Sequence, residues 1–231
     1  MATRPELIVL DVYETLLDMS DVERKVNSLM DNRKGYLIWF ELFMQYCFVD
    51  NCTVQFNDFN SIAKATLQMA GRMLDRTISE AQTESVLELL RQLPVQEEVP
   101  EGLSKLHMHG FQLAALTNAP LSMVMDRMEP SGLVSYFEKV LSSEPVKKYK
   151  PCIEVYQWAA AQFHLPVEAI LLVSSHGWDI AGAANAGMQT AYLDQRKGEL
   201  YPLGPSPQYT CKTLAALADQ LGTAVASNRE I

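Results

Sequence analysis

The chain has 231 residues, 48% hydrophobic and 20% charged, the balance of an ordinary soluble globular protein large enough for one core domain with a smaller insert. Its formal charge of −9 and pI near 5.0 give none of the basic surface that nucleic-acid binders use, so nucleic acid is excluded as a partner and an anionic ligand needs individually placed donors. No run of about 18 apolar residues reads as a membrane span and the N-terminus lacks a signal-peptide pattern, so the expected partners include no membrane and the expected location is cytoplasmic.

In chain order, the first element is the run Leu7 to Leu10 within ELIVLDVYETLL. An uninterrupted apolar run of this length suits a strand buried on both faces, and this one ends abruptly in a carboxylate, Asp11. From Asp18 to about Val95 only helical stripes follow, such as Leu37, Phe40, Met44 and Phe48, then Ile62, Leu67, Met69 and Met73, then Val86, Leu89 and Leu90. That interval reads as an all-helical insert, and the proline-rich, acidic RQLPVQEEVPEG as its return linker.

Beyond the linker, strands and helices alternate. Helical patterns at Val99 to His109, Leu121 to Met128, Cys152 to Phe163 and Asp179 to Ala186 separate apolar runs at Phe111 to Leu116, Lys139 to Leu141 and Ala169 to Val173. Alternation of this kind predicts an α/β, doubly wound parallel sheet with right-handed crossovers. The predicted core is 1–17 with 96–222, the insert 18–95, and 223–231 a weakly ordered tail. Cys47, Cys52, Cys152 and Cys211 show no paired spacing and read as reduced thiols, and His107 with His109 as a surface pair rather than a metal site.

In an open parallel sheet, ligands bind outside the carboxyl ends of the strands, near the switch in strand order. Each predicted strand delivers polar groups to that edge: Asp11, Tyr13, Glu14 and Thr15 after the first, Thr117 and Asn118 after the second, Lys148 and Lys150 after the third, and Ser174, Ser175, His176 and Asp179 after the fourth. Singly these read as turn or cap residues; together they make a carboxylate nucleophile with an ammonium to keep it ionised and donors for developing charge. Glu14 reads as an outward-pointing acid on a helix's first turn.

LDVYETLL, LTNAP, KKYKP and SSHGWDIAGAANAG, in that order and spacing, resemble the four motifs of the haloacid dehalogenase superfamily. The resemblance implies a Rossmann-like core with a helical cap in the position of the insert. Phosphatase members resemble D-x-D-G-T, whereas Tyr13 stands at the second Asp; the D-x-Y pattern, the doubled serine and the "WD" pair are similar to the L-2-haloacid dehalogenases.

That branch implies a hydrolase in which Asp11 displaces halide from a small anionic (S)-2-haloacid and water then frees the 2-hydroxy acid. The implied roles are Asp11 as nucleophile, Lys150 as supporting cation, Asp179 as the water-orienting carboxylate, Ser174 as a substrate and nucleophile contact, and Thr117 and Asn118 as substrate contacts. Tyr13, Trp39, Phe40, His176 and Trp178 complete the expected substrate site, with Trp39 and Tyr46 facing the ligand from the insert. No metal or cofactor is required; magnesium enters only under the phosphatase alternative. A homodimer is a further expectation, since related dehalogenases are often dimers. The pattern departs at Phe40, where the dehalogenases carry a halide-cradling Arg, at His176, where they carry Asn, and at Glu14, where the family usually has Gly. A small-acid-binding protein without dehalogenation is therefore a third reading.

Overall fold

The computed structural model describes residues 4–195 and 200–227. Among them, β1 (Leu7–Leu10), β2 (Gln112–Thr117), β3 (Lys139–Ser142), β4 (Ile170–Ser174), β5 (Gln189–Leu193) and β6 (Tyr209–Cys211) form one parallel sheet in the order β3-β2-β1-β4-β5-β6. The chain leaves β1 toward β2 and β3 on one side and returns to β4, β5 and β6 on the other. The switch point therefore lies at the carboxyl end of β1, where Asp11 stands.

The four residues of β1 explain the uninterrupted apolar run. Ile8 and Leu10 join the core on one face of the sheet, and Leu7 and Val9 the smaller core on the other. All four are fully buried, and each such side chain contributes about 1.5–3 kcal/mol of burial, so a charge at Val9 would abolish folding before it touched chemistry. α5 (Val99–Met108), α6 (Leu121–Met128) and α9 (Leu214–Ser227) belong to the first face, α7 (Ile153–Ala161) and α8 (Gly177–Asn185) to the second.

Between β1 and α5 lie α1 (Ser20–Met30), α2 (Gly35–Thr53), α3 (Phe59–Met73) and α4 (Glu80–Arg91). Where the chain enters and leaves this helical segment its two strands are tied together: Leu17 bridges Val95 antiparallel, Asp18 N–H donates to the Pro94 carbonyl and Gln96 N–H to that of Leu16. α4 opens with a capping box between Ser79 and Gln82, and α3 with the Asp58 carboxylate accepting from Ser61 N–H, so both starts are fixed by their own side chains.

Three elements were not expected. β5 and β6 extend the sheet, and α9 continues through 221–227, so the first part of the segment read as a tail is helical; residues 228–231 lie outside the described residues. No helix among the described residues is long and apolar enough to cross a membrane.

Candidate active site

Asp11 extends the sheet by one hydrogen bond, its N–H donating to the Val173 carbonyl at 2.9 Å, and the chain then turns sharply. The carboxylate is buried at 5% exposure and both oxygens are engaged. Oδ1 accepts from Lys150 Nζ at 2.8 Å and Oδ2 from Thr15 Oγ1 at 2.9 Å. Burial pushes the Asp11 carboxyl up, but the Lys150 ammonium and His176 beside it, with the hydrogen bonds from Lys150 and Thr15, hold it below the ordinary carboxylate range.

Lys150 is fully buried and all three ammonium protons are spent: on Asp11, on the Leu116 carbonyl at 3.1 Å and on Asp179 Oδ2 at 2.7 Å. Burial pulls its pKa down, and the two carboxylates more than reverse this. The other Asp179 oxygen accepts from Tyr156 OH at 2.6 Å, and burial together with that carboxylate keeps the phenol protonated. α8 approaches closely enough for this because Gly182 faces Pro151 and Tyr156; a Cβ there would lie 2.4 Å from Pro151 Cβ and 2.7 Å from the Tyr156 hydroxyl.

The expected residues divide into those that face Asp11 and those that do not. Tyr13, Phe40, Thr117, Asn118, Lys150, His176 and Trp178 line a cavity of about 40 Å3 beside it, closed by Phe43, Met44 and Phe59. Asp179 is wholly buried behind Lys150, with both oxygens taken, and does not line that cavity. Ser174 points its Oγ at the His176 N–H, whereas the adjacent Ser175 bonds to Thr15, itself bonded to Asp11, so it is Ser175 that connects to the Asp11 carboxylate. Trp39 is buried within the helical segment with its indole N–H on the Ala63 carbonyl, and Tyr46 lines a separate pocket with Asp50 and Thr66, so neither faces Asp11.

The Asn118 side chain is spent on the main chain of Lys150, accepting its N–H at 2.7 Å and donating to its carbonyl at 3.2 Å. Thr117 Oγ1 accepts the Ala119 N–H, which leaves its own proton to donate toward the cavity. The Tyr13 hydroxyl turns away to the Leu90 carbonyl at the end of α4, and burial raises its pKa.

Glu14 is not outward-pointing. It is 4% exposed, sits at φ 64, and accepts from Tyr36 OH at 2.6 Å. A left-handed backbone suits glycine and is costly for other residues, so a strained, buried acid here is a feature that the surroundings impose. His176 Nε2 stands 3.6 Å from Glu14 Oε2, 3.7 Å from Asp11 Oδ2 and 3.2 Å from the Tyr13 carbonyl. Its ring is sandwiched between Phe40, at 5.7 Å and 22°, and Trp178, at 5.1 Å and 21°; Phe40 in turn stacks on Tyr36. The ring at the position expected to be Arg is thus one layer of an aromatic column.

Magnesium does not fit this donor set. The seat between Asp11 and Asp179 is filled by the Lys150 ammonium, and Tyr13 supplies no carboxylate. Among the described residues no group of three or more His, Cys, Asp or Glu is gathered to hold a metal ion, the His107 and His109 pair included.

A buried aspartate at the switch point of a doubly wound sheet, paired with a lysine from the third strand's exit under a helical insert, defines a hydrolase built for covalent catalysis. Residues 5–187 match the haloacid dehalogenase-like hydrolase family, to which the chain belongs. It is 28% identical to an (S)-2-haloacid dehalogenase of Pseudomonas sp. (strain YL), with 94% of each chain covered. Its fold is shared by the L-2-haloacid dehalogenase RSc1362, with a TM-score of 0.88 at 23% identity over 95% of this chain and 99% of that one. The L-2-haloacid dehalogenase of Xanthobacter autotrophicus, solved with chloropropionic acid covalently bound, superposes with a TM-score of 0.85 at 18% identity over 94% and 98%.

Tyr156 had gone unread, and Thr15 and Ser175, though placed at the strand exits, had been given no role. Thr15 and Ser175 lie within the quoted motifs, and Tyr156 lies three residues past the start of α7 with its ring on an apolar stripe.

Proposed function

We propose that the protein hydrolyses a short (S)-2-haloacid to the 2-hydroxy acid through an aspartyl-ester intermediate. The observation that carries this reading is the saturated Lys150: its ammonium holds Asp11 ionised inside a secluded, aromatic-roofed chamber, the state a carboxylate nucleophile needs. An Asp11 oxygen attacks C2 from the side opposite the halogen, the new C–O bond forms, and halide leaves with the bonding pair. Water then adds to the Asp11 carbonyl carbon and the ester C–O bond breaks on the enzyme side, with one water proton passing to the departing alkoxide oxygen and the other released to solvent. The hydroxy acid departs with inverted configuration and the Asp11 carboxylate is restored. Halide leaves without a proton, which suits a site whose residue two beyond the nucleophile is Tyr13 with its hydroxyl turned away.

In this reading Thr117 donates to the substrate carboxylate, and His176, between Asp11 and Glu14, receives the proton of the attacking water. Asp179 and Tyr156 act behind Lys150, fixing the ammonium. Phe40, Phe43, Phe59 and Trp178 surround the leaving group with aromatic surface, a weaker cradle than a fixed cation. The chamber is small, about 40 Å3, so a haloacid enters by displacing the Phe40 ring or the helical segment above it. The same apolar roof supports a metal-free reaction in which desolvation strengthens each charge contact.

The test is chloride and bromide release from (S)-2-chloropropionate, its bromo analogue and the haloacetates, with Asp11→Asn as control. Wild-type release with at least about a thousandfold loss in the variant is the expected result. Single turnover in 18O-water should label the Asp11 side chain. No halide release over the panel would sink the reading.

A further inference from the structure

The three residues before Lys150 are held by the helical segment rather than by the sheet. The Tyr149 N–H donates to Asn51 Oδ1 at 2.9 Å, and Asn51 Nδ2 donates to the Tyr149 carbonyl at 2.8 Å, so one side-chain amide grips both sides of this residue. Lys148 Nζ donates to the Asn51 carbonyl at 3.1 Å, and the Tyr149 hydroxyl to the Asn57 carbonyl at 2.6 Å. The fully buried Tyr149 ring stacks on Phe56 at 5.4 Å and 19°, and the Lys147 ammonium lies over the Phe56 ring, 4.6 Å from its centroid.

Lys150 itself is gripped in the same fashion from the core, by Asn118. Two successive residues are thus each clamped at N–H and carbonyl by an asparagine, one delivered by the end of α2 and one by the end of β2. Beyond them the ammonium has three acceptors for three protons, at 2.7 to 3.1 Å, and no slack. A backbone displacement of about 1 Å at Tyr149 would break at least one of those contacts, and displacements of that size can cost a hundredfold in rate.

We infer that Asn51 is a positioning residue: the corner between α2 and α3 sets where Lys150 stands, so the ammonium is seated between Asp11 and Asp179 only when the helical segment is docked. The inference rests on the reading of Asp11 and Lys150 as nucleophile and supporting cation. Any lifting of the segment to admit substrate would take the lysine from its seat, so Asp11 is fully prepared only in the closed molecule. A tie that merely holds the segment down would change stability and nothing else.

The test uses the full chain with Asn51→Ala, read in two independent ways. Steady-state halide release should show kcat reduced about 10–100-fold with KM within about threefold. Titration of the 13C-labelled aspartate carboxyls, with the Asp11 signal identified by Asp11→Asn, should show Asp11 protonating at a higher pH than in the wild type, because its cation has moved. A lower melting temperature with kcat and the Asp11 titration both unchanged would overturn the inference. If Asn51→Ala fails to fold, Tyr149→Phe decides. That variant removes only the hydroxyl bond to Asn57; smaller shifts in the same directions carry the inference, and an unaltered protein overturns it. The titration needs no turnover: a wild type that releases no halide, with an Asp11 titration that still moves in Asn51→Ala, would refute dehalogenation and leave the positioning role standing.

Discussion

The floor and the roof of the chamber are built on opposite principles. On the sheet side, Asp11, Lys150, Asp179, Tyr156, Thr15 and Ser175 are buried polar groups bound into one continuous network. On the helical side, Phe40, Phe43, Met44 and Phe59 present only apolar surface. The floor has one permitted arrangement because each buried charge needs its partner, and a half-satisfied network is worse than none. The roof has no such constraint, so it can vary in size and shape while the chemistry below stays fixed. Its contribution is to exclude water, which makes each contact in the floor stronger.

The largest effect expected from breaking this contrast is Lys150→Met. It leaves Asp11 and Asp179 as adjacent buried carboxylates without their cation, which costs about 3–5 kcal/mol of stability and lowers kcat at least about a thousandfold. The pH dependence has a definite sign. Asp11 has its folded pKa depressed, so its pairing stabilises the protein above the ordinary carboxylate range and is lost as pH falls through the lower folded value. Lys150 has its folded pKa raised, so its contribution is complete below the ordinary lysine value of 10.5 and is lost only as pH rises through the higher folded one. Wild-type kcat/KM should therefore stay supplied with ionised Asp11 across the neutral range and fall only in acid. In Lys150→Met whatever activity survives should fall at a higher pH, and an unmoved acid limb would mean that Lys150 is not what keeps Asp11 ionised.

Tyr156→Phe makes a smaller break in the same floor. It removes one of the two donors that the structure gives Asp179 and leaves a buried carboxylate oxygen short of a partner, at a cost of about 1–3 kcal/mol. The expected kcat loss is about tenfold, because Lys150 keeps its other acceptors. Equal losses from Tyr156→Phe and Lys150→Met would mean that the network fails as a unit.

What the sequence made legible follows the same division. The floor was readable because strand exits concentrate polar residues at fixed places, and the apolar runs Leu7 to Leu10 and Ala169 to Val173 locate those exits without ambiguity. Ser174 and Ser175 could not be told apart, since adjacent residues in an extended exit face opposite ways and one step of register decides which meets Thr15. Trp39 and Phe40 were both expected at the site, but they differ by about 100° around α2, so only Phe40 reaches the chamber and Trp39 lies inside the packing of the helical segment. β5 was missed because Gln189 and Thr190 break its apolar run, although both are buried, and β6 because three residues at a sheet edge carry too little pattern. Glu14 was misread for want of its backbone angle: position in sequence suggested a first helical turn, whereas a tight left-handed turn puts its carboxylate inward.

The roof can be sharpened with Phe40→Arg. The new guanidinium would replace one layer of the aromatic column between Tyr36 and His176 with a cation at the chamber wall. If leaving-group stabilisation limits the rate, kcat for chloride release should rise by up to about tenfold, a fraction of what one electrostatic donor is worth at an active site. A fall in kcat with weaker substrate binding would instead mean that the apolar roof is matched to its substrate and that the column holds His176 in place.

The smallest expected effect is at the junction of floor and roof, where Glu14 reaches Tyr36 of α2 from a left-handed turn. Glu14→Gly removes backbone strain of about 1–2 kcal/mol but adds roughly 0.5–1 kcal/mol of unfolded-state freedom, and it discards a charged hydrogen bond of about 1.5–3 kcal/mol. The terms partly cancel, leaving a net loss of about 1.5 kcal/mol, which thermal unfolding of a chain this size reads as roughly 3–6 °C. Glu14→Gln separates the contributions, since it keeps the backbone strain and an acceptor for Tyr36 while removing the charge beside His176. A stability near that of wild type with a lowered kcat would assign the carboxylate to the chemistry of His176. If Glu14→Gly proves more stable than wild type, strain outweighs the contact with Tyr36, and the acid is held in that turn at the expense of folding.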